Sequence, residues 1–214
     1  MNSGQLAQVL KTETRPFHDS AEGSQFQRYL TSGEISLTEY VTYLGQLYLV
    51  HKTLETTITQ AADKEPRLKK VVTEEQLQEK YLTSDLLHFN VQPNTVHPYR
   101  ATGNFLKTIQ DIGSHKPLAL IGIQYVLFGS KHGGKFIAKN LSQAHKLNGA
   151  GTKYFDPYGN DFMPYWRSFV ERMNELELSP AEIEPIVEAA KQTFVAVREI
   201  GQELDERELQ NSAH

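Results

Sequence analysis

IGIQYVLFGSKHGGK, residues 121–135, is the stretch on which the reading of this chain turns. It has no two-residue alternation, so it reads as a helix rather than a strand. The apolar run from Leu118 to Phe128 is broken by Gly122 and Gln124 and is far short of the ~20 residues of a membrane span. The stretch holds four glycines, each costing about 1 kcal/mol against alanine inside a helix. Gly122, Gly129 and Gly133 fall on one stripe, with Tyr125, Val126 and Phe136 beside them. A helix face without side chains lets a flat ligand approach the backbone and bends readily. Close helix–helix packing uses the same small residues, and periodicity leaves both readings open. Ser130, and carbonyls freed by a kink, would order water near such a ligand. Lys131, Lys135 and Lys139 stand at i, i+4 and i+8. They form a basic stripe pointing away from the glycines, which reads either as a solvated surface or as a docking patch for an acidic redox partner.

Outward from this segment the pattern stays helical. An amphipathic helix runs from Leu6 through Phe17 toward Leu30 and stops at the Thr31-Ser32-Gly33 break. Ser36, with Glu39 three residues on, forms a capping box that opens a long helix. That helix carries Tyr40, Leu44, Leu47, His51, Leu54 and Ile58 on one stripe, which makes His51 a core histidine. Residues 63–73 read as a surface connection or short helix, 74–89 and 99–112 as helices, and 90–98 as a loop. The glycine-rich helix runs on to about Leu147. A structured loop over 148–163 and a helix over 165–176 follow. Ser179-Pro180, with Glu182, opens the last helix. Its apolar stripe runs from Ile183 to Leu204, and a polar tail from Arg207 is expected to fray. The expectation is one all-α domain of about seven or eight helices.

Composition narrows the function. The chain has 214 residues, 39% hydrophobic and 22% charged, with a formal net charge of -4. Nothing global therefore points to nucleic acid. There is no cysteine, which removes disulfides, zinc–thiolate sites, iron–sulfur clusters and cysteine nucleophiles. No signal-peptide pattern is present in the first ten residues. The expectation is a soluble cytoplasmic protein with no membrane span.

The first helix holds the candidate ligand set. Lys11, Arg15, His18 and Glu22 are spaced by four, three and four, so they share one helix face. His18 is a candidate metal ligand of the kind that holds heme iron. Lys11 lies about 10 Å along the axis from it, a distance suited to binding carboxylates at the edge of a flat ligand. Glu22 would accept the second imidazole N–H and fix the tautomer. A solvated face with a surface histidine is the alternative. Pro16 removes one helix hydrogen bond and would kink the helix between Arg15 and His18.

These residues resemble the heme oxygenase family. The N-terminal pattern of Leu10-Lys11, Thr14-Arg15, His18 and Ala21-Glu22 is similar to the family's proximal helix. The segment Tyr125-Val126-Leu127-Phe128-Gly129-Ser130, with Gly133, is similar to the distal helix of its bacterial branch. Arg172-Met173-Asn174 with Leu176, and Ala190-Lys191 with Phe194, resemble its C-terminal helices. The animal branch carries a water-organising aspartate where Ser130 stands. Phe128 and His132 replace the bacterial branch's Glu and Leu. The resemblance implies a heme oxygenase-like fold, with heme sandwiched between a proximal helix and a kinked distal one. It implies an O2-dependent oxidoreductase that cleaves heme b, both substrate and cofactor, to biliverdin, carbon monoxide and ferrous iron. His18 would be the axial ligand and Lys11, Arg15 and Tyr125 the propionate contacts. Gly129, Ser130 and Gly133 would form the catalytic distal face. Electrons would come from outside, from an acidic ferredoxin, flavodoxin or reductase, because no Rossmann fingerprint is visible. A heme carrier or sensor with His132 as sixth ligand is the alternative. A di-iron carboxylate site needs Glu-x-x-His pairs, which the sequence lacks.

Overall fold

The computed structural model describes residues 6–212, with side chains through Arg207. Among the described residues there are ten α-helices and no strand: α1 (Leu6–Glu22), α2 (Gln25–Ser32), α3 (Leu37–Ala61), α4 (Arg67–Val71), α5 (Glu79–His88), α6 (Arg100–His115), α7 (Leu120–Gly129), α8 (Lys131–Ala144), α9 (Phe162–Asn174) and α10 (Pro180–Ser212). None is long and apolar enough to cross a membrane. The buried apolar side chains form one continuous cluster.

Local chemistry sets the boundaries. Ser36 accepts from the Glu39 N–H at 3.2 Å while Glu39 accepts from the Ser36 N–H at 3.1 Å, so the expected capping box starts α3. Ser179 and Glu182 start α10, where the Ser179 N–H and hydroxyl both donate to the Glu182 carboxylate. The first helix is shorter than its periodicity suggests. It ends at Glu22, and Ser24 caps a separate α2 by accepting from the Gln27 N–H at 3.3 Å. Gly33, at φ +82°, closes α2 in the left-handed conformation that glycine adopts without penalty. Pro16 does not interrupt α1, which continues through it. The last helix likewise continues past Arg207 to Ser212.

The glycine-rich segment is two helices, not one. Helix α7 stops at Gly129 and α8 starts at Lys131, with Ser130 as the junction. The break frees carbonyls, and neighbouring side chains take them up. The Ser130 hydroxyl donates to the Leu127 carbonyl at 2.8 Å, and His132 Nδ1–H donates to the Gly129 carbonyl at 2.7 Å. The break also interrupts the stripes drawn across it. Gly122 belongs to a helix contact: a β-carbon there would overlap the Ile186 carbonyl oxygen, so the α7 and α10 backbones touch. Gly134 plays the same part against the Phe155 carbonyl. Phe136 is 58% exposed and lies off the stripe. Lys131 is buried at 5% exposure, while Lys135 and Lys139 remain exposed. The basic stripe of three is therefore two.

Helix α10 is the common floor. Helices α7, α1, α6 and α2 all pack on it. Its Glu203 accepts the Arg100 and Ala101 N–H groups at 3.2 and 2.7 Å, satisfying two of the donors that a helix N-terminus leaves unpaired. The segment between α8 and α9 is pinned to α5 and α3. Asp85 accepts the Lys153 and Tyr154 N–H groups at 2.9 and 2.7 Å, and the Tyr40 hydroxyl donates to the Gly151 carbonyl at 2.6 Å. This fixes Tyr154 against α3, where its hydroxyl meets Nε2 of the fully buried His51 at 3.0 Å. Glu55, one turn along, accepts the Gln78 and Glu79 N–H groups at 2.6 and 2.8 Å.

Two stability measurements check this account. Gly122→Ala forces α7 from α10 and should cost about 1–3 kcal/mol, as overpacking does. Gly133→Ala, where a β-carbon meets no atom within 4 Å, should gain about 0.5–1 kcal/mol. Urea unfolding of the two variants reads both, and equal effects would contradict the assignment. The second concerns Glu55, which burial pushes up from 4.5 to about 7. Between those values the folded protein binds more protons than the unfolded chain, so stability falls as pH rises through that window. Glu55→Gln keeps an acceptor for both N–H groups. Between pH 5 and pH 8 the parent should therefore lose up to about 3 kcal/mol more than the variant.

Candidate functional site

A cavity of about 670 Å³ lies between α1 on one side and the α7–α8 junction on the other, with α10 between them. Lys11, Arg15, His18 and Glu22 line it from α1, and Tyr125, Gly129, Ser130 and Gly133 line it from the junction. All eight residues selected from sequence thus meet at one cavity, although more than a hundred residues separate the two groups. The volume is ordinary for a cofactor or small-molecule site, which spans roughly 300–1,000 Å³.

On the α1 wall the helical face is intact because Pro16 does not break it. The His18 ring is half exposed and packs edge-on against Phe194 of α10, with centroids 5.7 Å apart. Its Nδ1 lies 3.4 Å from Asp19 Oδ1 and 3.7 Å from Glu22 Oε2. Asp19, which the helical spacing did not select, is thus the nearer carboxylate. Asp19 also binds Arg15, whose Nε reaches its two oxygens at 3.0 and 3.1 Å. The Arg15 hydrogen bond, followed by that of His18, holds the Asp19 carboxyl below its ordinary value. Such a carboxylate is suited to accept the imidazole N–H and leave the other ring nitrogen free as a ligand.

Arg198 of α10 is a further cation on the cavity lining. One guanidinium nitrogen donates to the Ser20 hydroxyl at 2.8 Å, while its Nε is buried with no partner among the described residues. Nothing local in the sequence marks Arg198. It enters only because α10 lies along α1.

On the opposite wall the glycines separate by task. Gly133 presents open backbone, whereas a β-carbon at Gly129 would point at the Trp166 ring, 3.4 Å away. Tyr125 packs on that ring with centroids 5.5 Å apart. Phe128 is fully buried among Tyr158, Phe162, Trp166 and Phe169, behind the wall rather than on it. His132 lines the cavity, but its Nδ1 is held by the Gly129 carbonyl and its ring stands edge-on to Phe162 and Trp166, 4.8 Å from each.

Behind Ser130 sits the group that the sequence reading placed on the surface. Lys131 Nζ lies over the face of the Tyr154 ring, 3.0 Å from its centroid. Burial drives its ammonium well below the ordinary lysine range, with Asp85 opposing. Burial likewise pushes the Tyr154 phenol far up and the His51 imidazole far down, so both are neutral.

Known proteins share this fold. The heme oxygenase family model matches residues 4–203. Human heme oxygenase 1 is 27% identical over 208 residues, covering 94% of this chain and 72% of its own. Among solved structures, heme oxygenase-1 of the cyanobacterium Synechocystis, in complex with heme, superposes with a TM-score of 0.89 at 22% identity, covering 98% of this chain and 96% of its own. Heme oxygenase from Leptospira interrogans superposes at 0.85 and 25% identity, covering 93% and 99%. The all-α architecture matches that of these two solved structures over more than nine-tenths of the chain, and the family match takes in both walls of the cavity. On these grounds the chain belongs to the heme oxygenase family.

Proposed function

We propose that this protein is a cytoplasmic heme oxygenase that cleaves heme to biliverdin, carbon monoxide and ferrous iron. One observation carries the reading. A histidine with its Nδ1 beside two carboxylates faces, across a cavity of cofactor size, a stretch of helix at Gly133 with no side chain in the way. The residues present fit heme. His18 would ligate its iron, the cations on the lining would pair with its carboxylates, and apolar side chains such as Phe194, Val126 and Ile137 would pack against its ring.

Heme, when bound, supplies the iron at which oxygen is activated, so the hard chemistry belongs to the cofactor. The protein holds and orients. Asp19 would accept the His18 Nδ1–H, with the Glu22 carboxylate beside it, and fix the tautomer that leaves Nε2 to ligate. Lys11 and Arg15 would orient the bound heme through charge-assisted hydrogen bonds to its carboxylates, with Tyr125 on the far wall. Gly133 leaves room opposite His18. Ser130 and His132 hold the junction open by binding its freed carbonyls. Phe162 and Trp166 stand beside the junction and keep bulk water from it. Electrons come from an external acidic donor, for which Lys135 and Lys139 are exposed near the distal wall.

Three measurements test this. Hemin should bind one to one and quench Trp166, the single tryptophan. Added reductant and air should then replace the Soret band with bilin absorbance. A persistent Soret band would make the protein a heme carrier instead. His18→Ala should lose the histidine-ligated spectrum, and a spectrum like the parent's would move the ligand to His132. Finally, Lys11→Ala and Arg15→Ala should each weaken hemin about tenfold, roughly 1.4 kcal/mol. Both should leave hemin dimethyl ester unaffected. Equal losses for the two ligands would show that these cations act on the fold rather than on propionates.

A further inference from the structure

On the distal side of the cavity Tyr125, Ser130, His132 and Tyr154 carry hydroxyl or titratable groups. The acidic residues that line the cavity, Asp19 and Glu22, are both on α1. His132 and Ser130 are engaged with the carbonyls of Gly129 and Leu127. Tyr154 alone on that side is hydrogen-bonded to a second titratable side chain, His51, at 3.0 Å. Its side chain lines the cavity together with Ser130. Behind it, His51 Nδ1 is buried and has no partner among the described residues. Glu55 Oε1 stands 3.9 Å from that nitrogen, and its side chain is 17% exposed.

A packing role does not explain this cluster. Phenylalanine would fill the Tyr154 site equally well, and a buried ring nitrogen without a partner costs free energy. The arrangement instead has the form of a path with one end at the cavity and the other near solvent.

We propose that Tyr154 is the proton donor on the distal side of the cavity and that His51 recharges it from Glu55. The proposal rests on the heme oxygenase reading and gives its site a proton source. In one passage Tyr154 releases its phenolic proton into the cavity beside Ser130 and takes the proton of His51 Nε2. His51 takes a proton at Nδ1 from the Glu55 carboxyl, which turns to bring its other oxygen, Oε2, to hydrogen-bond distance while Oε1 keeps the Gln78 and Glu79 N–H groups. Glu55 is reprotonated from solvent. Net, one proton crosses from solvent to cavity, no electrons move, and His51 is left with its proton on Nδ1.

The surroundings suit the task. The charged or titratable groups facing the path are Tyr40 and Tyr43 on α3, Glu79, Lys80 and Asp85 on α5, Lys131 on α8, and Tyr158 in the segment before α9. Burial brings Glu55 to about 7, so at neutral pH it both holds and releases a proton. Burial and Lys131 keep His51 neutral, so it relays rather than stores. Lys131 lies over the Tyr154 ring and positions it. Tyr154 is the catalytic group of the set, and His51, Glu55 and Lys131 act through it.

Tyr154→Phe preserves the ring under Lys131 and tests the path. At pH 7 turnover should fall about 10²-fold, the lower end of what a general acid contributes, while hemin affinity stays within about twofold. The acid–alkaline midpoint of the ferric complex's visible spectrum should move, a readout independent of turnover. Glu55→Gln should slow turnover too and abolish its pH dependence near 7. Parent-like turnover and an unmoved midpoint in Tyr154→Phe would overturn the proposal. If the parent binds hemin but never forms a bilin, the oxygenase reading fails, and the midpoint alone then decides whether the Tyr154 hydroxyl reaches the bound heme. A parent that binds no hemin overturns both.

Discussion

The contact on which this structure depends is backbone against backbone: Gly122 of α7 on the Ile186 carbonyl of α10. No side chain fits between them, so the distance between these helices is set by main-chain atoms rather than by rotamers. Helix α1 lies along the same α10. The two walls of the cavity are therefore referenced to one rigid element, and their separation cannot drift with the packing of any single residue. That suits a site that must hold a flat ligand between a fixed ligand atom and a fixed surface, where sub-ångström misplacement is costly.

The second constraint is the accounting of hydrogen bonds at the distal junction. Breaking a helix next to a cavity exposes carbonyls, and buried carbonyls require donors. Ser130 and His132 provide them locally. The same requirement limits what these two residues are free to do, because a histidine held at Nδ1 between two aromatic rings is not poised to swing across a cavity. The protein thus opens its helix with polar side chains and closes the gap behind it with aromatic ones, keeping hydroxyl groups few and specific on that wall.

Much of this was legible where the signal is local. The capping boxes at Ser36 and Ser179, and the spacing of Lys11, Arg15, His18 and Glu22, depend only on neighbours within one or two turns, and the structure reproduces them. The glycines were legible as a group but not individually. Periodicity shows that side chains are missing from a face, whereas only the partner decides whether Gly122 meets a helix or Gly133 meets a cavity. The stripe that puts Lys131 on the surface assumes one continuous helix, and the helix breaks at Ser130. Asp19 escapes an i+4 spacing rule because its carboxylate reaches the neighbouring ring directly. The Tyr154–His51 pair and Arg198 had no local signal, since each depends on a contact across more than a hundred residues.

The central claim is that α1 and the α7–α8 junction are two sides of one heme site, with His18 holding the iron from the first and Gly133 leaving the second open. A crystal structure of the hemin complex tests this most directly. The account predicts iron at coordination distance from His18 Nε2, the porphyrin edge-on to α10, and its far face against the Gly133 backbone. Iron ligated by His132, or heme bound anywhere outside this cavity, would contradict it.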